Sequence, residues 1–450
     1  MIEQPEQKHG FIDWLKESVT AKLVFIGILI LVLLIPSSLV QNLINERADR
    51  QEDMMNDVSD KWSGSQLIAG PVLVIPYQKH VKYQDDNQKE KEKDVIENLY
   101  ILPDDLHIKA ELHTEVLHRG IFDVVVYNTA VKVSGNFAWA DLAALNISPG
   151  QLFLNKAKIT FSISDLKGLK TNPVITSAGK NSTAEPVFTG DTVFNNGLQA
   201  AVDLSDLKDT QASFNYALDL KGSLELSFLP LGKTTDVEAS GNWGSPSFDG
   251  RYLPDTRKVD NNGFSARWRM LYYNRPYPQQ WTGDVSVLRD QKKQQNAMFG
   301  IKLRLPVDQY QKTMRTSKYS LLIIFLTFIS LFLTEVIRKQ KIHVFNYLLI
   351  GAAMIIYYSL LLSFSEQIGF TMAYLVASVA TVGLITTFIG SLLKNRNAAF
   401  LFGFILSVFY IFIYVIIQLE DLALIIGSSA LFIIVAMLMY FSRKINWDRH

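Results

Sequence analysis

Three histidines, His107, His113 and His118, lie close together with Glu111 and Glu115 between them. Histidines and carboxylates in one cluster could hold a metal or move a proton. The spacing argues otherwise. Along a strand rising about 3.3 Å per residue, His107 and His113 stand roughly 20 Å apart, and His118 has the opposite parity. Glu111, His113 and Glu115 share a face at intervals of about 7 Å, wide for ligands of one ion. The chain has no HExxH, GxSxG, Walker or dinucleotide-binding motif, and Ser317-Lys318 lacks the Ser-x-x-Lys spacing. We therefore expect no catalytic, metal or cofactor-binding set.

The other groups able to do chemistry sit in or beside apolar runs. Glu335 lies near the inner end of one run and Glu366 just beyond the outer end of the next. A transporter coupled to protons or ions usually places a carboxylate or a broken helix near the bilayer midplane. The hydroxyls of Tyr357-Tyr358, Thr386-Thr387 and Ser428-Ser429 are more simply read as helix-packing hydrogen bonds, and Ala373 and Ala377 as points of close helix approach.

The elements that position these residues follow from hydropathy. Of 450 residues 48% are hydrophobic, yet mean hydropathy is only +0.13. That is too polar for a chain wholly in lipid and too apolar for one wholly in water. The excess falls in runs at 23–40, 319–337, 344–364, 369–393, 398–417 and 422–440. Crossing about 30 Å of hydrocarbon takes roughly 20 helical residues, so we expect six transmembrane helices, one N-terminal and five C-terminal. The first could be a cleaved signal peptide, but no Ala-x-Ala follows it, and an uncleaved anchor is the expectation.

Basic residues resist translocation and so mark the cytoplasmic loops. Lys16 and Lys22 precede the first run. Arg338, Lys339 and Lys341 follow the second, Lys394 and Arg396 separate the fourth from the fifth, and Arg443, Lys444 and Arg449 close the chain. The alternate loops, 365–367 and 418–421, have no Lys or Arg. This pattern puts both termini, 1–22 and 442–450, in the cytoplasm and the segment between the first two spans outside.

That segment alternates with period two over 70–305. Leu106, Ile108, Ala110 and Leu112 interleave with His107, Lys109, Glu111 and His113, and similar beats occur in KITFSIS, GFSARWRMLY and FGIKLRL. Alternation means sheets with one buried face. Asn195-Asn196-Gly197, Asn261-Asn262-Gly263 and Asp249-Gly250 read as turns. The expected fold is an antiparallel β-sandwich, single or doubled, inserted in a mixed membrane protein. SGNF and SGNW hint weakly at a repeat, and 85–94 reads as an exposed hairpin tip. Flanking it, 41–69 and 306–318 have helical spacing and are expected to extend their spans as stalks. Val307, Tyr310, Met314 and Leu321 would share the apolar side of the second. With no cysteine there are no disulfides and no thiol chemistry, and a net charge of +1 argues against nucleic acid as a partner.

The stretches IPSSLVQNLINERADRQ, IAGPVLVIPY, LHRGIFDVVVY, GSPSFDGRYLPDTR, GFSARWRMLYYN and PVDQYQKTMRTSKYSLLIIFLTF make the chain resemble the CreD family, inner-membrane proteins of the Gram-negative cell envelope. The resemblance is collinear over nearly the whole length. It implies an inner-membrane location with a periplasmic domain and a part in envelope integrity or stress response under a two-component system. It supplies no catalytic residue. Three readings follow: a non-enzymatic envelope protein whose β domain binds or senses an envelope component, a transporter or its accessory, or an envelope-modifying enzyme using Glu366. The expected partners are the lipid bilayer and periplasmic or inner-membrane proteins. Candidate interaction residues are Asp249, Arg251 and Asp255 in SFDGRYLPD, Asp308, Lys312 and Arg315 before the second span, and Glu366.

Overall fold

The first apolar run does not end where its hydrocarbon stretch does. In the computed structural model, which describes residues 19–84, 90–187, 192–205, 211–303, 305, 309–338, 340, 342–419 and 423–442, Val19–Trp62 is one α-helix of 44 residues. Pro36 lies inside it, and no further Pro or Gly interrupts the chain before Gly64. The chain divides into two compact units, Met1–Glu52 with Val307–His450 and Asp53–Pro306, so the boundary falls within this helix. The helix ends at Trp62, seven residues short of the expected stalk's 41–69, and strand begins at Gln66. Residues 1–18 and 443–450, Asp308, and the 85–89 part of the expected hairpin tip lie outside the described residues.

In the first unit four helices among the described residues are long and apolar enough to cross a membrane: Ala21–Trp62, Val344–Ile368, Phe370–Leu393 and Arg396–Gln418. Gln309–Lys318 and Ser320–Val336 form a further apolar pair bent by 41°. Ala423–Ser442 is an uncharged helix of 20 residues. The bend at Tyr319 corrects the expected smooth extension. Thr313, Thr316 and Ser317 hydroxyls bond back to the carbonyls of Gln309, Lys312 and Met314 at 2.8 Å, a habit of Ser and Thr that bends helices. The buried side of Gln309–Lys318 includes Tyr310 as expected but otherwise differs, and Val307 lies outside the described residues. That side carries Tyr310, Thr313, Thr316 and Ser317, whereas Leu321 is 45% exposed. Ser37 meets Ser320 at 2.8 Å, and Gln41 donates to the Ser317 carbonyl at 3.4 Å. Small hydroxyl residues allow such close helix approach in an apolar setting.

In the second unit the strands form one nine-stranded and one eight-stranded sheet. Their inner faces supply a single continuous hydrophobic core, so there is one sandwich and not two. Rings meet across the layers: Phe161 lies 4.7 Å from Tyr216, and Trp268 5.5 Å from Phe299. Most pairings are antiparallel, but Gln66–Gln84 runs parallel to Glu225–Phe228, and Asp105–Arg119 parallel to Thr234–Gly241. Parallel neighbours need a long crossover, and the many intervening strands provide it. Asn261-Asn262 turns the hairpin between Thr256–Asp260 and Gly263–Leu271 as expected. Asp249-Gly250 does not make a hairpin. Pro246–Gly250 pairs with Phe299–Leu303 in the larger sheet, and the chain then crosses to the other. Gly250, at φ +100°, lets the backbone turn where a Cβ would stand 2.4 Å from the Met298 carbonyl oxygen.

The helix-to-sheet junction is a polar seam inside this second unit. Asp165 accepts from the Ser63 hydroxyl at 3.0 Å, the Gly64 N–H at 3.1 Å and the Lys167 N–H at 3.0 Å. The Gln66 amide donates to the Ser63 hydroxyl at 2.9 Å and to the carbonyls of Asp165 at 3.0 Å and Lys221 at 3.3 Å. Ser223 donates its hydroxyl to the Ser63 carbonyl at 2.8 Å. Outside the seam Lys167 holds Asp60 at 2.8 Å, Arg119 pairs with Asp57, and Lys221 lies over the Trp62 ring.

Two predictions follow from this unit. Burial pushes the Asp165 carboxyl up, but the N–H and hydroxyl donors and Lys167 outweigh it and hold it below the ordinary carboxylate value. A depressed folded value stabilises above the unfolded value near 3.9 and ceases to do so as pH falls through the folded one. Asp165→Asn should therefore lower the urea midpoint at pH 7, by on the order of 2 kcal/mol, with the gap closing below about pH 4; an equal gap at pH 7 and pH 3 would show that the charge is not involved. Gly70 has φ +117°, and a Cβ there would lie 2.7 Å from Phe161 Cβ and 2.8 Å from its Cα. Gly70→Ala should cost about 2–4 kcal/mol, read as a lower melting temperature of the β signal in circular dichroism.

Candidate functional site

On the eight-stranded sheet, Asp105–Arg119, Thr234–Gly241, Gly263–Leu271 and Thr256–Asp260 lie side by side. Alternate residues point inward and are buried: Ile108, Ala110, Val237, Ala239, Ala266 and Trp268 among them. The others form rows across the outer face. One row places Lys109 beside Glu238, Glu238 beside Arg267, and Arg267 beside Thr256. The next places Glu111, Ser240, Ser265 and Lys258 in the same order. Two serines directly opposite one another are too short to fill the space between longer neighbours. The result is a trough of about 370 Å³.

The trough is unevenly charged. Lys109, Lys258 and Arg267 present their charges on this face with one carboxylate, Glu238, between Lys109 and Arg267, whereas Arg257 lies opposite the inward Ala266 and borders the trough from the other face. Arg267 is engaged, with Asp236 at 3.5 Å and Glu238 at 3.7 Å. Among the described residues the side chains of Lys109, Arg257 and Lys258 have no ion pair or hydrogen-bond partner. Sequence reading missed this site because its strands are far apart in the chain. Only the alternation that sends these side chains outward was visible.

The histidines of Asp105–Arg119 are separate. His107 lies 3.7 Å from Asp236, His113 4.0 Å from Glu111 and His118 2.5 Å from Asp123, each more than half exposed. Among the described residues no three His, Asp or Glu side chains are grouped to hold a metal ion. In SFDGRYLPD, Asp249 is paired with Lys302, and Asp255 accepts the Arg269 N–H at 2.7 Å. Arg251 is exposed, its N–H bonded to the Met298 carbonyl at 2.9 Å. Two of the three side chains thus stitch strands.

In the membrane unit Glu366 accepts the Tyr310 hydroxyl at 3.0 Å and faces the Arg47 guanidinium at 3.9 Å. Lys312 donates to Gln418 at 3.3 Å and lies over the Phe370 ring; Arg315 donates to the Leu419 carbonyl at 3.3 Å. These candidates tie helix ends together. Tyr357 meets Tyr358 and Tyr410 ring to ring at 4.9 Å, and Thr387 and Ser428 bond within their own helices. Ala373 and Ala377 are fully buried.

A second polar cluster in this unit escaped the sequence reading, which used Lys22 only as a topology marker. Lys22 pairs with Glu335 and donates to the Ile342 carbonyl at 2.6 Å. Glu335 also accepts the Ile342 N–H and the Tyr347 hydroxyl, each at 3.1 Å. The side chains are only 19% and 10% exposed. Removing one member of such a pair strands the other charge, whereas removing both does not. Lys22→Gln or Glu335→Gln should each cost on the order of 3 kcal/mol, and the double variant should regain at least half of the summed loss in detergent-solubilised thermal melts. Additive losses would deny the coupling.

Comparison with known proteins agrees with this architecture. The family model for the inner membrane protein CreD matches residues 18–448. The chain is 29% identical over 419 residues to the inner membrane protein CreD of Escherichia coli strain K12, covering 93% of this chain and 91% of that protein. The chain belongs to the CreD family of inner membrane proteins.

Proposed function

We propose that this chain is a non-enzymatic inner-membrane protein that supports envelope integrity or the envelope stress response, its two-sheet unit lying in the periplasm and binding or sensing an envelope component. In this reading Ala423–Ser442 is the last of six spans, after the first helix, the bent pair and three long helices, and both termini are cytoplasmic. The alternation of Lys and Arg between short loops supports that topology. The observation that carries the binding role is the trough, a concave polar site on the outer face of the eight-stranded sheet lined by Lys109, Glu238, Ser240, Lys258, Ser265 and Arg267. Glu366, the one carboxylate proposed as an acid or base, is already engaged by Tyr310 and Arg47, which favours binding over catalysis. Partners are the bilayer and proteins or other components of the inner membrane and periplasm.

Reporter tags inserted between residues 85 and 89 and after Trp447 should reside in opposite compartments. Cells lacking the chain should leak a periplasmic reporter enzyme under envelope stress, and the full chain should restore retention. Tags in one compartment would overturn the topology, and unaltered leakage would overturn the role.

A further inference from the structure

We propose that two aromatic loops at one end of the two-sheet unit are a docking surface for a glycan strand, an extended polymer of sugar rings. The inference rests on the periplasmic placement proposed above and not on the trough. It names a class of envelope component that this unit meets.

The loops lie opposite the helix that enters the unit. Arg119, at one end of the strand Asp105–Arg119, pairs with Asp57 of that helix. Asp105 stands at the other end, about 46 Å away at about 3.3 Å per residue. There Asp105 lies between Thr234 and Asn136, and Thr234 lies beside Leu271. Leu271 leads into the short turn Tyr272–Asn274, and Asn136 leads toward Trp139. Tyr273 is 94% exposed, and Tyr272 and Trp139 are exposed beside it in class if not in degree. A ring wholly in water buries nothing, so Tyr273 is not held there by the core. The loops are nevertheless fixed. The Leu271 N–H donates to the Asn274 side chain at 3.0 Å, the Tyr272 ring covers the buried Arg275 guanidinium, and Pro276 and Pro278 restrict the backbone that follows. The Gln280 amide then ties this loop to the other, accepting the Asp141 N–H and donating to its carbonyl, each at 2.9 Å.

Three features select the partner. Tyr and Trp offer a flat apolar face with one polar atom at the edge. A sugar ring offers C–H bonds on its face and hydroxyls at its rim, so stacking and an edge hydrogen bond form together. The carboxylates beside the loops are engaged within the fold: Asp104 with Lys233 at 3.5 Å, Asp141 with the Ala144 N–H at 3.1 Å and Asp255 with the Arg269 N–H at 2.7 Å. Recognition there falls to rings and not to charge, which suits a polar partner of low charge density. Finally, the rows that lead to the two sets of rings are three strand spacings apart, about 14 Å. One sugar does not reach across that span, whereas a polymer stacks on both. Leu253 and Leu271 are exposed as well. A protein partner would bury these aliphatic side chains with the rings, and a glycan would not depend on them.

The full chain in detergent micelles can be sedimented with purified, protein-free cell-wall sacculi and titrated calorimetrically with a soluble N-acetylglucosamine hexamer. Co-sedimentation and saturable hexamer binding are expected. Trp139→Ala with Tyr273→Ala should weaken hexamer binding at least tenfold, whereas Tyr273→Phe, which keeps the ring, should stay within threefold of the parent. Leu253→Ser with Leu271→Ser should stay within twofold. An unchanged β signal in circular dichroism checks that each variant is folded. Absence of hexamer binding, binding indifferent to loss of the rings, or equal loss from the ring and leucine variants would overturn the proposal. Sedimentation with sacculi but no hexamer binding would assign the contact to peptide and overturn it too. These failures are separable from failure of the periplasmic placement, which the reporter tags decide.

Discussion

The last turn of a helix leaves carbonyls without intrahelical donors, and a chain that passes directly from helix to sheet must meet that deficit within a few residues. At Trp62 Lys167 Nζ donates to the Asp60 carbonyl at 2.8 Å and the Ser63 N–H to the Ser59 carbonyl at 2.9 Å, and a polar network follows at once. The Gln66 amide, the Asp165 carboxylate and the Ser223 hydroxyl converge on Ser63 and Gly64. Ser223 N–H also reaches the Gly64 carbonyl. Because Gln66 opens the strand that borders three others, this seam sets the register from which the larger sheet grows. A buried polar network of this kind favours one arrangement only if every member is satisfied.

The two-sheet unit was legible as alternation, and alternation correctly separated inward Ile108, Ala110 and Leu112 from outward His107, Lys109 and Glu111. What alternation cannot supply is the neighbour across the ladder. Nothing local sets Lys109 beside Glu238 or Ser240 beside Ser265, and the first of these pairs depends on a parallel contact that local pattern disfavours. The same limit explains Asp249-Gly250. Its residue types signal a turn, and the chain does turn there, but toward the other sheet, because the partner of Pro246–Gly250 is the distant Phe299–Leu303 strand.

In the membrane unit apolar runs were plain, and polar details were not. Counting hydrophobic residues favoured a face with Met314 and Leu321, but the helix buries Thr313, Thr316 and Ser317. In an apolar surround a hydroxyl bonded to its own backbone is small and polar-satisfied, so close approach can outweigh apolar area. Glu335 and Lys22 show the complementary case. Each looked like an isolated charge near a span end, and their pairing became visible only when the first helix was set against the others of its unit.

These cases share one regularity. Glu335, Glu366, Asp165, Asp249 and Asp255 all have partners, and each partner joins segments remote in the chain. Charges used in this way hold the fold and are spent on it. Lys109 and Lys258 differ, since neither side chain has an ion pair or hydrogen bond among the described residues. A row of uncompensated charge on an exposed sheet costs little in water, where each ion keeps its hydration, but it also adds nothing to folding.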